Sequence, residues 1–191
     1  PEPVLEYIKK HRLYQYQEVS MNSSFSPDQV TLYRKRLKSK LAPMRYEHSL
    51  SVSYTSMCLA MYYGYDISKA EIAGLLHDCG KRFSDDIILK KCLQHKIPLT
   101  EEQRLAPAVL HANYGAWLAE HKYEIHDQDI LNAILYHTTG RPEMSMLEKI
   151  VYIADYIEPR RYNASNLAEM RALAFWDLDG PVSQILKGTL A

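Results

Sequence analysis

His77 and Asp78 stand side by side where an apolar helical run, Ile72 to Leu76, comes to an end, and Gly80 and Lys81 follow at once. A neutral imidazole and a carboxylate so placed can both ligate one metal ion, and the second carboxylate oxygen is free to reach another. Lys81 sits where it could meet an anionic ligand. A His-Asp dipeptide alone carries little, because many such pairs simply end a helix. Its weight here comes from partners of ligand type: His48 upstream on a predicted helix, and His111, His137 and Asp155 downstream on three more.

His48, His77, Asp78 and Asp155 make a mixed nitrogen and oxygen set, which suits iron, manganese, cobalt, nickel or zinc without separating them. His111 and His137 could hold a second ion, with Asp78 as the bridge. A bound transition ion lowers the pKa of its water from about 15.7 towards 7, and two ions can clamp the attacking and leaving oxygens of a phosphate displacement. The expected substrate is therefore a phosphoester or phosphoanhydride. His11, His95, His121 and His126 fit the pattern less well and read as structural or surface residues.

Nearly every segment that must position these residues reads as helix, with no strand alternation, so the expected fold class is all-α. A short helix spans Glu2 to His11, and Tyr14 to Phe25 reads as a linker. Ser26-Pro27 starts a helix to about Lys40, with Ser at the N-cap and Pro in the first turn. Pro43 opens the next, which carries His48 and stops near Gly64; His48 shares a face with Met44 and Val52. Ser68 with Glu71 reads as a capping box for the helix that ends in the His-Asp pair. His95 follows a polar helix. Thr100 to Gln103 is another start signal, and Pro107 disturbs or restarts a helix running to about His121. Asp127 to His137 forms a short helix, and Ser145 with Glu148 is a capping box for the one ending near Glu158. Asn166 with Glu169 starts another, and the last runs from about Pro181 to Leu190.

The 191 residues carry 23 basic and 23 acidic side chains, a balance that argues against a nucleic-acid polymer as partner. Cys58, Cys79 and Cys92 are odd in number and have no CxxC spacing, as expected of reduced thiols in the cytoplasm. Cys79 reads as a small buried thiol beside the metal residues. No apolar run approaches a membrane span and no signal peptide is visible. Fifteen tyrosines against three phenylalanines suggest that some line a polar pocket. A homodimer through an apolar helix face is compatible with this size. The start at Pro1 rather than Met is expected of a fragment, a processed chain or an engineered one.

Longer stretches narrow the reading. Arg45 to Leu50 (RYEHSL), Leu76-His77-Asp78 with Lys81, His137 to Pro142 (HTTGRP), and Leu147 to Ile150 leading to Ala154 to Arg160 (ADYIEPR) resemble the HD superfamily of metal-dependent phosphohydrolases. More narrowly they resemble its symmetrical bis(5'-nucleosyl)-tetraphosphatases of the YqeK type, from roughly Lys40 to the C-terminus. The resemblance implies an all-helical HD domain, here residues 26–191, that cuts diadenosine tetraphosphate at its middle anhydride into two ADP, with iron or a related divalent metal. It implies His48, His77, Asp78 and Asp155 as primary ligands, and His111 and His137 near the second ion or the phosphates. Asp78, Lys81 and His111 are then the expected catalytic residues. Arg45, Lys81, His111, His137, Thr138, Thr139, Gly140 and Arg160 are the expected substrate contacts. Arginine suits bidentate phosphate binding, and hydroxyls with a backbone N–H can cradle oxygens. Thr138-Thr139-Gly140 is equally an ordinary helix end, and Arg160-Arg161 a solvated basic pair.

Residues 1–25 lie outside that pattern. Pro1-Glu2-Pro3-Val4, Tyr7-Ile8 and His11 to Tyr14 resemble the end of nicotinate-nucleotide adenylyltransferases, which leads us to expect such a domain in front of this one. Two other functions compete with the tetraphosphatase: a nucleotidase or deoxynucleotide phosphohydrolase of the same superfamily, and a non-catalytic nucleotide-sensing module.

Overall fold

A computed structural model describes residues 6, 7, 10 and 25–190. The expected linker apart from Phe25, and most of the leading helix, His11 included, lie outside the described residues. Ten helices and one 3-10 turn, with no strand, make up the described part: α1 Pro27–Lys38, α2 Pro43–Tyr63, α3 Ile67–Leu76, α4 Asp85–Gln94, α5 Glu101–Leu105, the 3-10 turn Pro107–Val109, α6 Leu110–Tyr123, α7 Gln128–Tyr136, α8 Met146–Ile157, α9 Leu167–Leu173 and α10 Asp179–Leu190. The expected all-α class is the observed one.

Capping chemistry sets most of the helix starts. Ser26 with Gln29, Thr100 with Gln103, and Ser145 with Glu148 each form a reciprocal capping box. The start of α3 differs from expectation. Asp66 is the cap, its carboxylate accepting from the N–H groups of Ser68 and Lys69 at 2.8 and 3.0 Å. Ser68 therefore lies inside the helix, and Glu71 is committed to Arg34 at 2.7 Å. Asn166 does stand at the start of α9, but its side chain accepts from the Tyr156 hydroxyl instead of capping.

The two helices that carry the sharpest motifs are the most enclosed. In α3, Ala70, Ile72, Ala73, Leu75 and Leu76 are fully buried; in α8, Leu147, Ile150, Val151, Ile153 and Ala154 are. Helices with so little surface left to solvent belong at the centre of the domain. Helix α3 packs on α2, α7 and α8, and α8 also meets α2, α7 and α10. Each large aliphatic side chain removed from water there stabilises the fold by about 1.5–3 kcal/mol.

Two close approaches fix how the central helices meet. A Cβ on Gly74 would lie 2.8 Å from Ser56 Oγ and 2.9 Å from Ser53 Cα, so α3 can press against the small-residue seam of α2 only with glycine there. A Cβ on Gly80 would collide with the His111 carbonyl and come within 2.9 Å of Gly115 N. The turn that follows His77-Asp78 is thus seated directly on α6. Between them the two contacts bring His48, the His-Asp pair and His111 to one place.

Candidate metal centre and substrate cavity

His48 projects from α2, His77 and Asp78 from the turn ending α3, His111 from the first turn of α6, His137 from the end of α7, and Asp155 from the last turn of α8. All six meet. Asp78, 2% exposed, is the hub. Its Oδ2 lies 3.9 Å from His48 Nε2 and 3.6 Å from His77 Nε2. Its Oδ1 lies 3.5 Å from His111 Nε2 and 3.6 Å from His137 Nε2. Asp155 Oδ1 completes the first side, 3.0 Å from His48 Nε2 and 4.0 Å from His77 Nε2.

The tautomers follow from the partners. The Nδ1 atoms of His77, His111 and His137 lie 2.7 Å from the carbonyls of Gly74, Ala108 and Ile134, each three residues earlier. A carbonyl only accepts, so each Nδ1 carries the hydrogen and each neutral ring turns its Nε2 lone pair towards Asp78. His48 uses Nδ1 against Glu158 Oε1 at 3.2 Å. Such partners orient ligating histidines and raise their basicity.

This donor set fits a cation and little else. His48 Nε2, His77 Nε2 and Asp78 Oδ1 are buried without a hydrogen-bond partner. His111 Nε2 and His137 Nε2 face each other at 3.2 Å. The Thr138 hydroxyl, 3.1 Å from both, has one proton to offer two acceptors. Buried unsatisfied acceptors cost of order 1–3 kcal/mol each, and divalent ions would satisfy them together. His48, His77 and Asp155, and separately His77, Asp78 and His137, present ligand atoms close enough to share an ion.

Electrostatics prepare the same outcome. Burial pushes His77 down to about 4, against the pull of Asp78 and Asp155, and burial with His137 and Lys81 pushes His111 down to about 3. Both rings stay neutral at physiological pH. Burial would raise Asp78, but His77, His137 and Lys81 outweigh it and hold its pKa well below the ordinary value. Asp155 is likewise lowered, its burial outweighed by His48 and His77. For His48 the burial that would lower its pKa is outweighed by Asp155, Glu158 and Asp78, and the net shift is upward.

Of the expected substrate contacts, Arg45 lies on the cluster itself, Nη1 2.8 Å from Asp78 Oδ2, and Lys81 Nζ is 3.9 Å from Asp78 Oδ1. Arg160 is exposed at the rim, paired with Glu47 at 2.9 Å. Thr138 sits between the two histidines, whereas the Thr139 hydroxyl turns to the Gly140 carbonyl. Gly140 departs from its expected part: its N–H is taken by the Tyr136 carbonyl at 2.8 Å and its φ is +63°, the geometry of a helix end, which leaves no N–H for an oxygen ligand. Met44 does not share the inward face of His48 and Val52: it is 74% exposed and lines the open cavity, whereas Val52 is fully buried.

Two residues of consequence went unassigned. Glu158, 3% exposed, holds His48 with one oxygen and accepts from the Arg160 N–H at 2.7 Å with the other. Arg161, read as solvated, bonds Asp155 through both its carbonyl and Oδ1 at 3.0 Å. Both lie within or beside the ADYIEPR stretch, which marks the segment but not the partners these side chains meet. Arg171 supports them, donating to the carbonyls of Ile157, Glu158 and Arg161 at 2.9–3.0 Å. Cys79 is buried, donates to the Gly115 carbonyl at 3.3 Å, and burial pushes its thiol up to about 12, so it is unreactive. Of the histidines set aside, His95 stacks on Trp117 at 3.8 Å and His121 bonds the Trp117 carbonyl, both away from the cluster.

Above the cluster opens a cavity of about 470 Å³, lined by Met44, Arg45, His48, Glu158, Arg160, Arg161, Tyr162 and Asn163. Tyr162 is the one tyrosine among these lining residues.

Comparison with known families decides the lineage. The HD domain model matches residues 45–160, a span that holds all six cluster residues. The chain belongs to the HD domain family. HD phosphohydrolases are metal-dependent, in keeping with the donor set. A relative from Bacillus subtilis, named a symmetrical bis(5'-nucleosyl)-tetraphosphatase, is 39% identical over 156 residues, 81% of this chain and 82% of its own. A relative from Mycoplasma genitalium, named a probable nicotinate-nucleotide adenylyltransferase/Ap4A hydrolase, is 31% identical over 65% of this chain and 35% of its own. A crystal structure from Clostridium acetobutylicum, of a predicted HD superfamily hydrolase involved in NAD metabolism, superposes with a TM-score of 0.80. It is 42% identical and covers 87% of this chain and 86% of that one. No helix among the described residues is long and apolar enough to cross a membrane.

Proposed function

We propose that this HD domain hydrolyses dinucleoside tetraphosphates symmetrically, diadenosine tetraphosphate giving two ADP. The observation that carries the reading is the two-sided environment of Asp78, each oxygen facing a pair of histidine lone pairs. The name of the Bacillus subtilis relative supports the substrate.

His48, His77, Asp78 and Asp155 would hold one divalent ion, and His111 and His137 a second, with Asp78 between them. Iron is the first candidate, and manganese, cobalt, nickel and zinc suit the same ligands. Such ions supply Lewis acidity to a phosphoryl oxygen and to the attacking water. The chain's own residues do the rest. Arg45 reaches into the cavity beside the cluster, where its guanidinium can pair with a phosphate. Lys81 supplies positive charge next to Asp78. Thr138 offers a hydroxyl to the inner phosphate, Arg161 stands beside Asp155, and Arg160 approaches from the rim. His111, kept neutral by burial, serves as a lone-pair donor and not as the proton donor to the leaving group. One water adds across the central anhydride: its oxygen bonds to one inner phosphorus, the bridging P–O bond breaks, the second ADP leaves with the bridging oxygen, and the protons of the water pass to solvent as the two new terminal phosphates ionise.

Product analysis tests this. Metal-replete protein is incubated with diadenosine tetraphosphate, and the nucleotides are separated by anion exchange. ADP as sole product, dependent on metal, is expected. AMP with ATP would place the cut elsewhere. Inorganic polyphosphate or nucleoside would favour the nucleotidase reading, and tight binding without turnover the sensing module.

The same reading assigns residues 26–191 to the HD domain, acting in the cytoplasm, with residues 1–25 as a connection to a preceding adenylyltransferase domain. The double name of the Mycoplasma genitalium relative supports that arrangement, and the sequence of the parent reading frame tests it.

A further inference from the structure

The cavity has a polarity gradient that the phosphate chemistry does not use. Its inner end is ionic, formed by His48, Glu158 and the guanidinium groups of Arg45 and Arg161. Its mouth is different: Met44 and Tyr162 line the same space and are 74% and 80% exposed, with Asn163 beside Tyr162. The two come from different elements, Met44 from the first turn of α2 and Tyr162 from the turn after α8, so they can close on a ligand from two walls. Large side chains left so bare have no packing role to justify them. Arg45, Arg160 and Arg161 line the same space and suit a guest whose anionic end points inward.

We propose that Met44 and Tyr162 form a nucleobase subsite, with the base stacked on the Tyr162 ring and against the Met44 thioether, and with the Asn163 amide placed to meet the base edge. The ring gives a sequence-tolerant stacking platform, and the flexible thioether adapts to the opposite face. The carboxamide offers both a donor and an acceptor. The span from the mouth to the metal residues then orders the ligand: base outside, diphosphate across Arg45 and Arg160, reacting phosphorus innermost. This inference rests on the nucleotide reading of the site, but its test is binding and not turnover.

The experiment is titration of metal-loaded wild-type, Tyr162→Ala and Tyr162→Phe proteins with ADP and, separately, with pyrophosphate, by calorimetry. Stacked bases lose roughly tenfold in affinity or more when the ring is removed. We expect ADP to bind Tyr162→Ala about tenfold more weakly, Tyr162→Phe to bind as the wild type does, and pyrophosphate affinity to be the same for all three. Equal ADP affinity in wild type and Tyr162→Ala would overturn the subsite. So would a parallel loss for pyrophosphate, which would mark Tyr162 as part of the phosphate framework. Wild-type protein that binds ADP through Tyr162 but leaves diadenosine tetraphosphate uncut would confirm the subsite and refute the proposed reaction.

Discussion

The inner and outer halves of the site are built on opposite principles. Around Asp78 each histidine is held through Nδ1, three by carbonyls on their own chain segments and the fourth by Glu158, and the His-Asp turn sits so close to α6 that only glycine fits at position 80. At the mouth, Met44 and Tyr162 are bare, and the Arg160 guanidinium is held by a surface ion pair to Glu47, which is worth about 0–1 kcal/mol. The inner half is preorganised for ions and the outer half is free to move onto a ligand. Variants of the two halves should therefore fail in different ways.

The largest effect belongs to the hub. Asp78→Ala should lose metal content and turnover together, at least a thousandfold in kcat, because it removes a ligand from both sides of the cluster. Metal analysis and steady-state assays check it, and a variant that retained full activity would refute the site. Gly80→Ala should lower stability by about 1–3 kcal/mol or more, since the new methyl must displace backbone of α6. Thermal unfolding reads that loss, and an unchanged Tm would show that the turn is not seated as described. Glu158→Gln should keep the fold while weakening metal binding about 10–100-fold, the usual cost of removing the partner of a ligating histidine. Arg45→Ala should raise KM or lower kcat with metal content unchanged, and Arg160→Ala should raise KM a few-fold at most. Loss of metal in Arg45→Ala would show that its bond to Asp78 supports the ions and not the substrate.

A pH dependence sharpens the contrast. In the metal-free protein the pKa of His48 is raised, burial being outweighed by Asp155, Glu158 and Asp78, so His48 holds its proton to higher pH than an ordinary imidazole does. Ion binding needs its Nε2 lone pair. Apparent metal affinity should therefore rise as pH climbs through that raised pKa and fall below it, with proton release on binding. His77 and His111, pushed to about 4 and 3, should contribute no such dependence near neutrality. A metal titration across pH 5 to 8 that stayed flat would contradict the assignment of His48.

Much of the inner half was legible in the sequence because it follows from residue type and element. Six ligand-type residues on five helical segments were named, and all six converge. Helix starts at Ser26, Thr100 and Ser145 were legible because a capping box is local chemistry. The start of α3 was misplaced because two capping signals compete there, and Asp66 wins by bonding two N–H groups while Glu71 is drawn off to Arg34. Glu158, Arg161 and Arg171 were missed because their roles are tertiary. Nothing in sequence spacing shows that Glu158 reaches His48, 110 residues away in the chain. Gly140 was over-read for the same reason, since only the fold shows where its N–H goes. The outer half was legible only as a surplus of tyrosine.

The central claim is that Asp78 stands between two ions. The most direct test is metal quantitation, by mass spectrometry, of wild-type protein and of a His111→Ala/His137→Ala double variant, both loaded and desalted identically. Two ions per chain, falling to one in the variant, are predicted, with His48, His77, Asp78 and Asp155 retaining theirs. One ion per chain in both proteins would contradict the claim and reduce His111 and His137 to contacts with the phosphates.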